Sequence, residues 1–167
     1  MRHPRSYILI AVFALVIANP AQAVSSGWEP PPDVAGDPDY VAGIEAWQQE
    51  DWQGAIEHIG KVIERRPWDD DAHNLLGFSY RKLGDFSRAL EHYQEALDLN
   101  PHHRGALEYL GEAYLEMNHV DQAEDTLARL GIECQRVFGA QSGWQAHCDE
   151  WLELKEAIEQ YRNNAAD

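Results

Sequence analysis

The chain has 167 residues and a formal net charge of −16 at pH 7, from 29 acidic and 13 basic side chains. Such an acidic excess repels phosphate backbones and anionic lipid, so it disfavours binding to nucleic acid or to a membrane surface. Most of the acidic residues are expected to serve solubility. The length allows one compact unit or a few stacked repeats, without a separate catalytic domain.

The first 23 residues have the three-part layout of a secretory signal peptide. Two arginines precede an apolar run over residues 7–18, and Ala21-Gln22-Ala23 supplies a small-residue cleavage site. The apolar run is shorter than the about 20 residues that a membrane-spanning helix needs. We therefore expect cleavage after Ala23, release into the periplasm and no membrane insertion of the mature chain; an uncleaved anchor is the alternative.

Residues 24–36 follow as a leader with three consecutive prolines, at positions 30–32. Proline lacks a backbone N–H and fixes an extended backbone, so this stretch is not expected to form a helix. The sequence predicts a semi-rigid leader ahead of the first folded element.

Glycines, alanines and prolines recur at a spacing of 34 residues, which indicates an internal structural repeat. Within one unit, apolar residues fall three and four positions apart on two segments, and this predicts two helices joined by a tight turn. Small residues allow the two helices to approach closely, and the proline ends the second one. The three series are Gly43, Gly77 and Gly111; Ala55, Ala89 and Ala123; Pro67 and Pro101.

The repeating unit resembles the tetratricopeptide repeat (TPR). Its fullest copy reads His73-x-x-Leu76-Gly77-x-x-Tyr80, followed by Ala89-x-x-x-Tyr93, Ala96 and Pro101. The resemblance implies an all-α, right-handed superhelical solenoid of three helical hairpins. One hairpin cannot bury its own apolar face, so about three stacked repeats are needed for stability. The predicted repeats are 37–69, 70–103 and 104–134.

A C-terminal helix is predicted over residues 149–163, where Trp151, Leu154, Ile158 and Tyr161 share one face. We expect it to cap the last repeat, with a dimerisation face as the alternative. Gly131 is the expected stop of the third repeat, and residues 135–148 are expected to form a loop.

The two cysteines, Cys134 and Cys148, flank this loop. Export would place them where disulfides persist, and a bond between them would tie the capping helix to the solenoid. The chain is similar to a group of small exported bacterial TPR proteins that carry two cysteines ahead of a closing helix with a Leu-x-x-Ala-Ile-x-x-Tyr tail. Residues 154–161 match that tail, although the cysteines of the group lie closer together.

In the TPR fold, the first helix of each repeat lines a concave surface whose inward positions select a partner. The resemblance therefore implies a protein or peptide partner on that surface. Aromatic and aliphatic residues come first along this surface, and basic residues follow. Three glutamates spaced by four come last and share one helix face. We expect apolar side chains of the partner at the first patch and basic groups at the glutamates. The predicted contact residues are Tyr40, Ile44, Trp47, Asn74, Phe78, Arg81, Lys82, Glu108, Glu112 and Glu116.

Two simpler interpretations of these residues remain open. The leader could cover the aromatic patch, and the three glutamates could form a solvated face. The Lys/Asn/Arg clamp with which some TPR proteins hold the C-terminal carboxylate of heat-shock chaperones is absent. The corresponding positions hold Tyr40, Ile44, Leu75, Gly105 and Tyr109.

No catalytic site, cofactor or metal is predicted. The chain lacks Gly-x-Ser-x-Gly, a glycine-rich phosphate loop and His-Glu-x-x-His. His58 and His92, one repeat apart, are expected on the outer surface, and the histidines lack the spacing of a zinc site. The alternative function is a redox-linked accessory factor that uses the Cys134/Cys148 pair in envelope protein maturation. We expect a monomer or a weak homo-oligomer.

Overall fold

The computed structural model describes residues 36–139 and 143–165, so the predicted signal peptide and residues 24–35 of the predicted leader lie outside the described residues. The described part contains helices and no strand. The elements are α1 (Pro38–Gln48), α2 (Trp52–Arg65), α3 (Asp70–Lys82), α4 (Phe86–Leu99), α5 (Arg104–Glu116), α6 (Val120–Phe138), a 3₁₀ helix (Trp144–His147) and α7 (Asp149–Ala165).

The helices pair into three stacked hairpins, α1/α2, α3/α4 and α5/α6, and α7 packs on both α5 and α6. This is the arrangement that the 34-residue spacing predicts: each hairpin buries its apolar face against the next one, and α7 closes the series. Within the described residues, no helix is long and apolar enough to cross a membrane.

Aspartates begin the first four helices. The carboxylates of Asp51, Asp69 and Asp85 accept hydrogen bonds of 3.0, 2.9 and 3.1 Å from backbone N–H groups three residues on, and Asp37 caps α1 in the same way. Such caps satisfy backbone donors that have no partner inside the helix. Part of the acidic excess is therefore structural and does not serve solubility alone.

In the turn of each hairpin, the residue at one repeating position has a left-handed backbone conformation. Glu50, Gly84 and Asn118, 34 residues apart, have φ of 58°, 76° and 62°. Glycine and asparagine adopt this conformation readily, whereas glutamate does so at a cost. The turn geometry is thus a property of the repeat, and it persists where the residue is unfavourable.

The repeating glycines mark the closest approach of neighbouring helices. A Cβ on Gly43 would lie 2.6 Å from Cγ1 of Ile59, and one on Gly77 would lie 2.6 Å from two ring carbons of Tyr93. Both neighbours belong to the second helix of the same hairpin. In the third repeat the neighbour changes: a Cβ on Gly111 would lie 2.7 Å from Cδ1 of Leu154, on α7. The capping helix therefore fits into the third hairpin at this position.

A pair of glycine substitutions tests this packing. Gly77→Ala is expected to destabilise the protein by about 2 kcal/mol, because the added methyl group overpacks the buried Tyr93 ring. Gly60 is the control, since it lies inside α2 and a methyl group added there would meet nothing within 4 Å beyond its own helix backbone. Gly60→Ala is expected to stabilise by about 0.5–1 kcal/mol through helix propensity. Urea denaturation followed by circular dichroism measures both, and equal effects would contradict the proposed contact.

The C-terminal region differs from the prediction. α7 ends at Ala165 and not at residue 163, and the predicted loop over 135–148 contains the end of α6 and the 3₁₀ helix. α6 continues through Gly131 to Phe138, past the predicted repeat boundary at residue 134. Gly131 does not stop the helix. A Cβ there would lie 3.2 Å from Nε1 of Trp151 and 3.4 Å from the Trp144 ring, so the glycine makes room for two tryptophans.

Cys134, on α6, and Cys148, just before α7, are brought together by this packing. Their Cα atoms lie 6.0 Å apart and their sulfur atoms are at bonding distance. Both side chains are fully buried. A bond at this position would fix the start of α7 to α6.

Candidate partner-binding surface

Four aromatic side chains form one cluster across all three repeats. Phe78 is at its centre, with ring centroids 5.2 Å from Trp47, 5.5 Å from Trp52 and 4.8 Å from Tyr109. The four rings come from α1, α2, α3 and α5, and each is half-buried. The aromatic cluster, defined as Trp47, Trp52, Phe78 and Tyr109, thus presents large apolar area where α1, α3, α5 and the start of α2 meet.

Two cations lie against this cluster. Nζ of Lys82, an exposed residue, is 5.2 Å from the Phe78 ring centroid. The guanidinium carbon of Arg81 is 5.0 Å from the Phe78 centroid and 5.7 Å from that of Tyr109. These distances are within the range of favourable cation–π contact.

Arg81 is only 4% exposed, and its charge is balanced inside the protein. Its Nη1 lies 2.6 Å from Oε2 of Glu112 and 2.9 Å from Oε1 of Glu116. Burial alone would lower the pKa of Arg81, but Tyr93 and the two glutamates raise it above its usual value. Arg81 and two of the three glutamates therefore form one ion cluster between the second and third repeats.

Glu108 is buried as well, with 5% of its surface exposed. Burial, a hydrogen bond with Glu153 of α7 and the nearby carboxylates of Glu112 and Glu150 raise its pKa to about 10. At neutral pH the side chain of Glu108 therefore keeps its proton. Together with the Arg81 ion pairs, this removes the row of three free carboxylates that the sequence predicts for basic groups of a partner.

The aliphatic end of the predicted set belongs to the core. Tyr40 is 1% exposed and packs with the buried Ile59 and Leu76, while Ile44 packs against the same core. The Tyr40 ring therefore does not line the surface in this structure. Its equivalents one and two repeats on, Asn74 and Glu108, are also buried, because this helix position faces the first helix that follows.

Asn74, which is 9% exposed, lies against the start of α5, with Nδ2 3.5 Å from the Cβ position of Gly105. Its Oδ1 has no hydrogen-bond partner among the described residues, and the same holds for Nε1 of Trp47. Of the predicted contact residues, the structure thus brings Trp47, Phe78, Arg81 and Lys82 together around one cluster.

The sequence analysis did not predict Trp52 as a contact residue. It considered Tyr109 only because this residue occupies a position of the Lys/Asn/Arg clamp, which this chain lacks. Trp52 begins α2, so assigning the surface to first helices alone excluded it. The repeat did hold a signal, since Trp52, Phe86 and Val120 are apolar residues 34 positions apart at the start of each second helix.

His92, which the sequence predicts on the outer surface, is half-buried. Its Nδ1 lies 3.1 Å from Nδ1 of His73, and its ring stacks on Tyr80 at 5.4 Å. Burial, with smaller contributions from His73 and Arg88, lowers the pKa of His92 to about 4. His58 is partly exposed beside Asp39, at 3.4 Å. Among the described residues, no group of three or more His, Cys, Asp or Glu is arranged to hold a metal ion.

Comparison with known proteins supports the repeat assignment. Residues 80–133 match the family model described as "Tetratricopeptide repeat". The TPR2B domain of yeast Sti1, solved in a complex with pHsp70, aligns with a TM-score of 0.63 and 20% identity over 73% of this chain and 94% of that chain. PcrH, in complex with the chaperone-binding region of PopD, aligns with a TM-score of 0.63 and 17% identity over 80% and 98%.

MamA is a further similar structure, with a TM-score of 0.56 and 22% identity over 59% of this chain and 57% of that chain. At these identities the similarity establishes the fold. The predicted fold class, an all-α solenoid of three TPR hairpins with a capping helix, is thereby confirmed.

Proposed function

We propose that this chain is an exported, non-catalytic TPR module that binds a protein or peptide segment at the aromatic cluster. One observation carries the proposal: half-buried rings from three repeats converge on Phe78, with the exposed Lys82 at their edge. Partly exposed aromatic side chains next to a cation are the residue types that dominate binding energy at interfaces. Sti1 TPR2B and PcrH, which have this fold, were solved with protein or peptide partners.

The structure changes the expected chemistry of the partner. Glu108 is protonated and buried, and Arg81 neutralises much of the charge of Glu112 and Glu116. Binding is therefore expected to depend on an aromatic or aliphatic side chain of the partner that packs on Phe78, more than on a series of basic groups. Lys82 leaves one positive charge at the edge, which suits an acidic or carbonyl group next to that anchor.

Site-specific photo-crosslinking in the cell envelope tests this proposal. A photoreactive phenylalanine analogue at Lys82 is expected to capture one partner, whereas the same analogue at Trp68 is not. Trp68 is the matched control because it is exposed and lies in the α2–α3 turn. Phe78→Ala is expected to reduce the Lys82 product by about tenfold, as loss of an interface anchor costs about 1.4 kcal/mol or more. Identical products from both positions would contradict the proposed surface.

We also propose export, on the basis of the layout of residues 1–23. N-terminal sequencing of protein recovered from the envelope is expected to begin at Val24, and a chain that retains Met1 would contradict cleavage. The redox-linked alternative requires an incoming thiolate to reach a sulfur atom. Cys134 and Cys148 are both fully buried, which favours a structural role for the pair.

A further inference from the structure

The aromatic cluster lies within reach of the predicted leader. The leader ends at Gly36, which is exposed and lies in a turn just before α1. Trp47 lies about 14 Å along the axis of α1 from its start. In an extended polyproline II chain, the prolines at positions 30–32 span about 12–19 Å from Gly36, and Trp28 reaches about 25 Å. A leader that turns back along α1 therefore brings its prolines level with Trp47 and Trp28 to Phe78.

The leader also carries the side chains that suit this surface. Trp28 supplies a large aromatic ring next to the carboxylate of Glu29, and three prolines follow directly. Proline-rich segments in the polyproline II conformation dock in grooves that are lined by aromatic side chains. An apolar anchor next to an acidic group is the chemistry that the aromatic cluster and Lys82 favour in a partner.

Two donors at the aromatic cluster have no acceptor among the described residues. Nε1 of Trp47 makes no hydrogen bond there. The exposed Lys82 makes no ion pair there, and its ammonium group lies against the Phe78 ring. Consecutive prolines have carbonyl groups that form no hydrogen bonds within their own segment, and Glu29 adds a carboxylate. The leader thus contains an acceptor for each of these donors.

We propose that the leader folds back onto the aromatic cluster of its own chain, with Trp28 and the prolines against the rings and Glu29 at Lys82. This contact rests on the proposed function, since the leader covers the surface at which the partner binds. A partner of the same chemistry displaces it. Because the leader is tethered at α1, its effective concentration at the cluster is on the order of millimolar, so that even a weak contact closes the surface.

Crosslinking from the leader in the purified protein tests this contact. A photoreactive phenylalanine analogue replaces Trp28, which keeps an aromatic ring there, and mass spectrometry identifies where it reacts. The expected product joins this position to α3 around Phe78 within one chain, at a yield that is independent of protein concentration. Phe78→Ala is expected to lower the yield by about tenfold. Phe138→Ala, at a 41% exposed ring that ends α6, is the matched control and is expected to leave the yield unchanged.

Charge reversal tests the contact between Glu29 and Lys82. Lys82→Glu is expected to lower the yield severalfold, because it places a carboxylate against Glu29. Lys61→Glu changes the net charge equally on α2, where Lys61 pairs with Glu57, and it is expected to leave the yield unchanged. Circular dichroism reports on folding, and the exposed Lys82 position keeps the test decisive if Phe78→Ala impairs folding. A yield that neither Phe78→Ala nor Lys82→Glu lowers overturns the proposal.

Partner capture from Lys82 in the cell envelope separates the leader contact from the proposed function. If the leader covers the surface in about nine-tenths of the molecules, Trp28→Ala is expected to raise the capture of a scarce partner by about tenfold, because apparent affinity scales with the open fraction. Capture of a partner that Trp28→Ala leaves unchanged, or leader products that join two chains, overturns the leader contact alone. Absence of any captured partner contradicts the proposed function, while the crosslink within the purified protein still reports on the leader.

Discussion

Glu108→Gln is expected to raise the free energy of unfolding at neutral and alkaline pH and to flatten its dependence on pH. The carboxyl has an ordinary pKa of 4.5 in the unfolded chain and a pKa of about 10 in the folded one. Between these values the folded state holds a proton that the unfolded state has released. The contribution of Glu108 to stability therefore falls as pH rises, by about 1.4 kcal/mol per pH unit in this window.

Glutamine has nearly the same shape as protonated glutamate and can still donate a hydrogen bond to Glu153. Glu108→Gln should therefore match the wild type below about pH 4.5 and exceed it increasingly above that pH, by several kcal/mol near pH 8. Urea denaturation from pH 4 to pH 9 measures the difference, in which the contributions of all other titrating groups cancel.

Two further substitutions, both on α7, test whether the change in pH dependence arises from Glu108. Glu156→Gln, which removes a carboxyl at an exposed position of the same helix, is the control and is not expected to reproduce the effect of Glu108→Gln. Glu153→Gln removes both a hydrogen-bond partner and a neighbouring charge, which raise the pKa of Glu108, so the loss of stability should keep its slope but level off at a lower pH than in the wild type. Parallel curves for the wild type and Glu108→Gln would show that Glu108 is ionised in the folded protein.

The helices were predictable because the same spacing of apolar and small residues occurs three times in the sequence. The hairpins over 37–69 and 70–103 contain the observed pairs α1/α2 and α3/α4, and the predicted close contact at Gly77 is present. The misplaced end of α6 has a local cause. A glycine can end a helix or admit a neighbouring side chain, and the Trp144 and Trp151 rings that decide between these roles at Gly131 come later in the chain.

The surface was harder to predict, because burial depends on which helix comes next. The spacing of Glu108, Glu112 and Glu116 correctly places them on α5, near one another. Sequence does not show that α7 covers the first of them or that Arg81, about one repeat earlier, binds the other two. Tyr40 reflects the same difficulty: its position faces α3, so the ring that was expected to meet a partner packs in the core.

Arg81→Met is expected to lower the free energy of unfolding by about 4 kcal/mol, the range in which breaking a buried ion pair falls. The guanidinium is 4% exposed and balances Glu112 and Glu116 on α5. Removing it leaves two carboxylates close together without a cation, and it also removes the contacts with Phe78 and Tyr109. Chemical denaturation at neutral pH measures the loss.

An exposed pair supplies the control for Arg81. Lys61→Met breaks the Lys61–Glu57 bridge, whose side chains are 42% and 67% exposed, and it should leave stability close to that of the wild type, because solvent screens such a pair. The triple variant Arg81→Met, Glu112→Gln, Glu116→Gln removes the uncompensated charges and is expected to recover most of the stability, since neutral groups replace the whole ion cluster.

The triple variant also separates folding from binding. It should be folded, yet the aromatic cluster would lack the buried cation that lies against Phe78 and Tyr109. If crosslinking from Lys82 returns with stability, Arg81 serves to join the second and third repeats. If stability returns and crosslinking does not, Arg81 also fixes the rings for the partner. A single Arg81→Met variant as stable as Lys61→Met would contradict both roles, because the ion cluster would then contribute no more than a surface bridge.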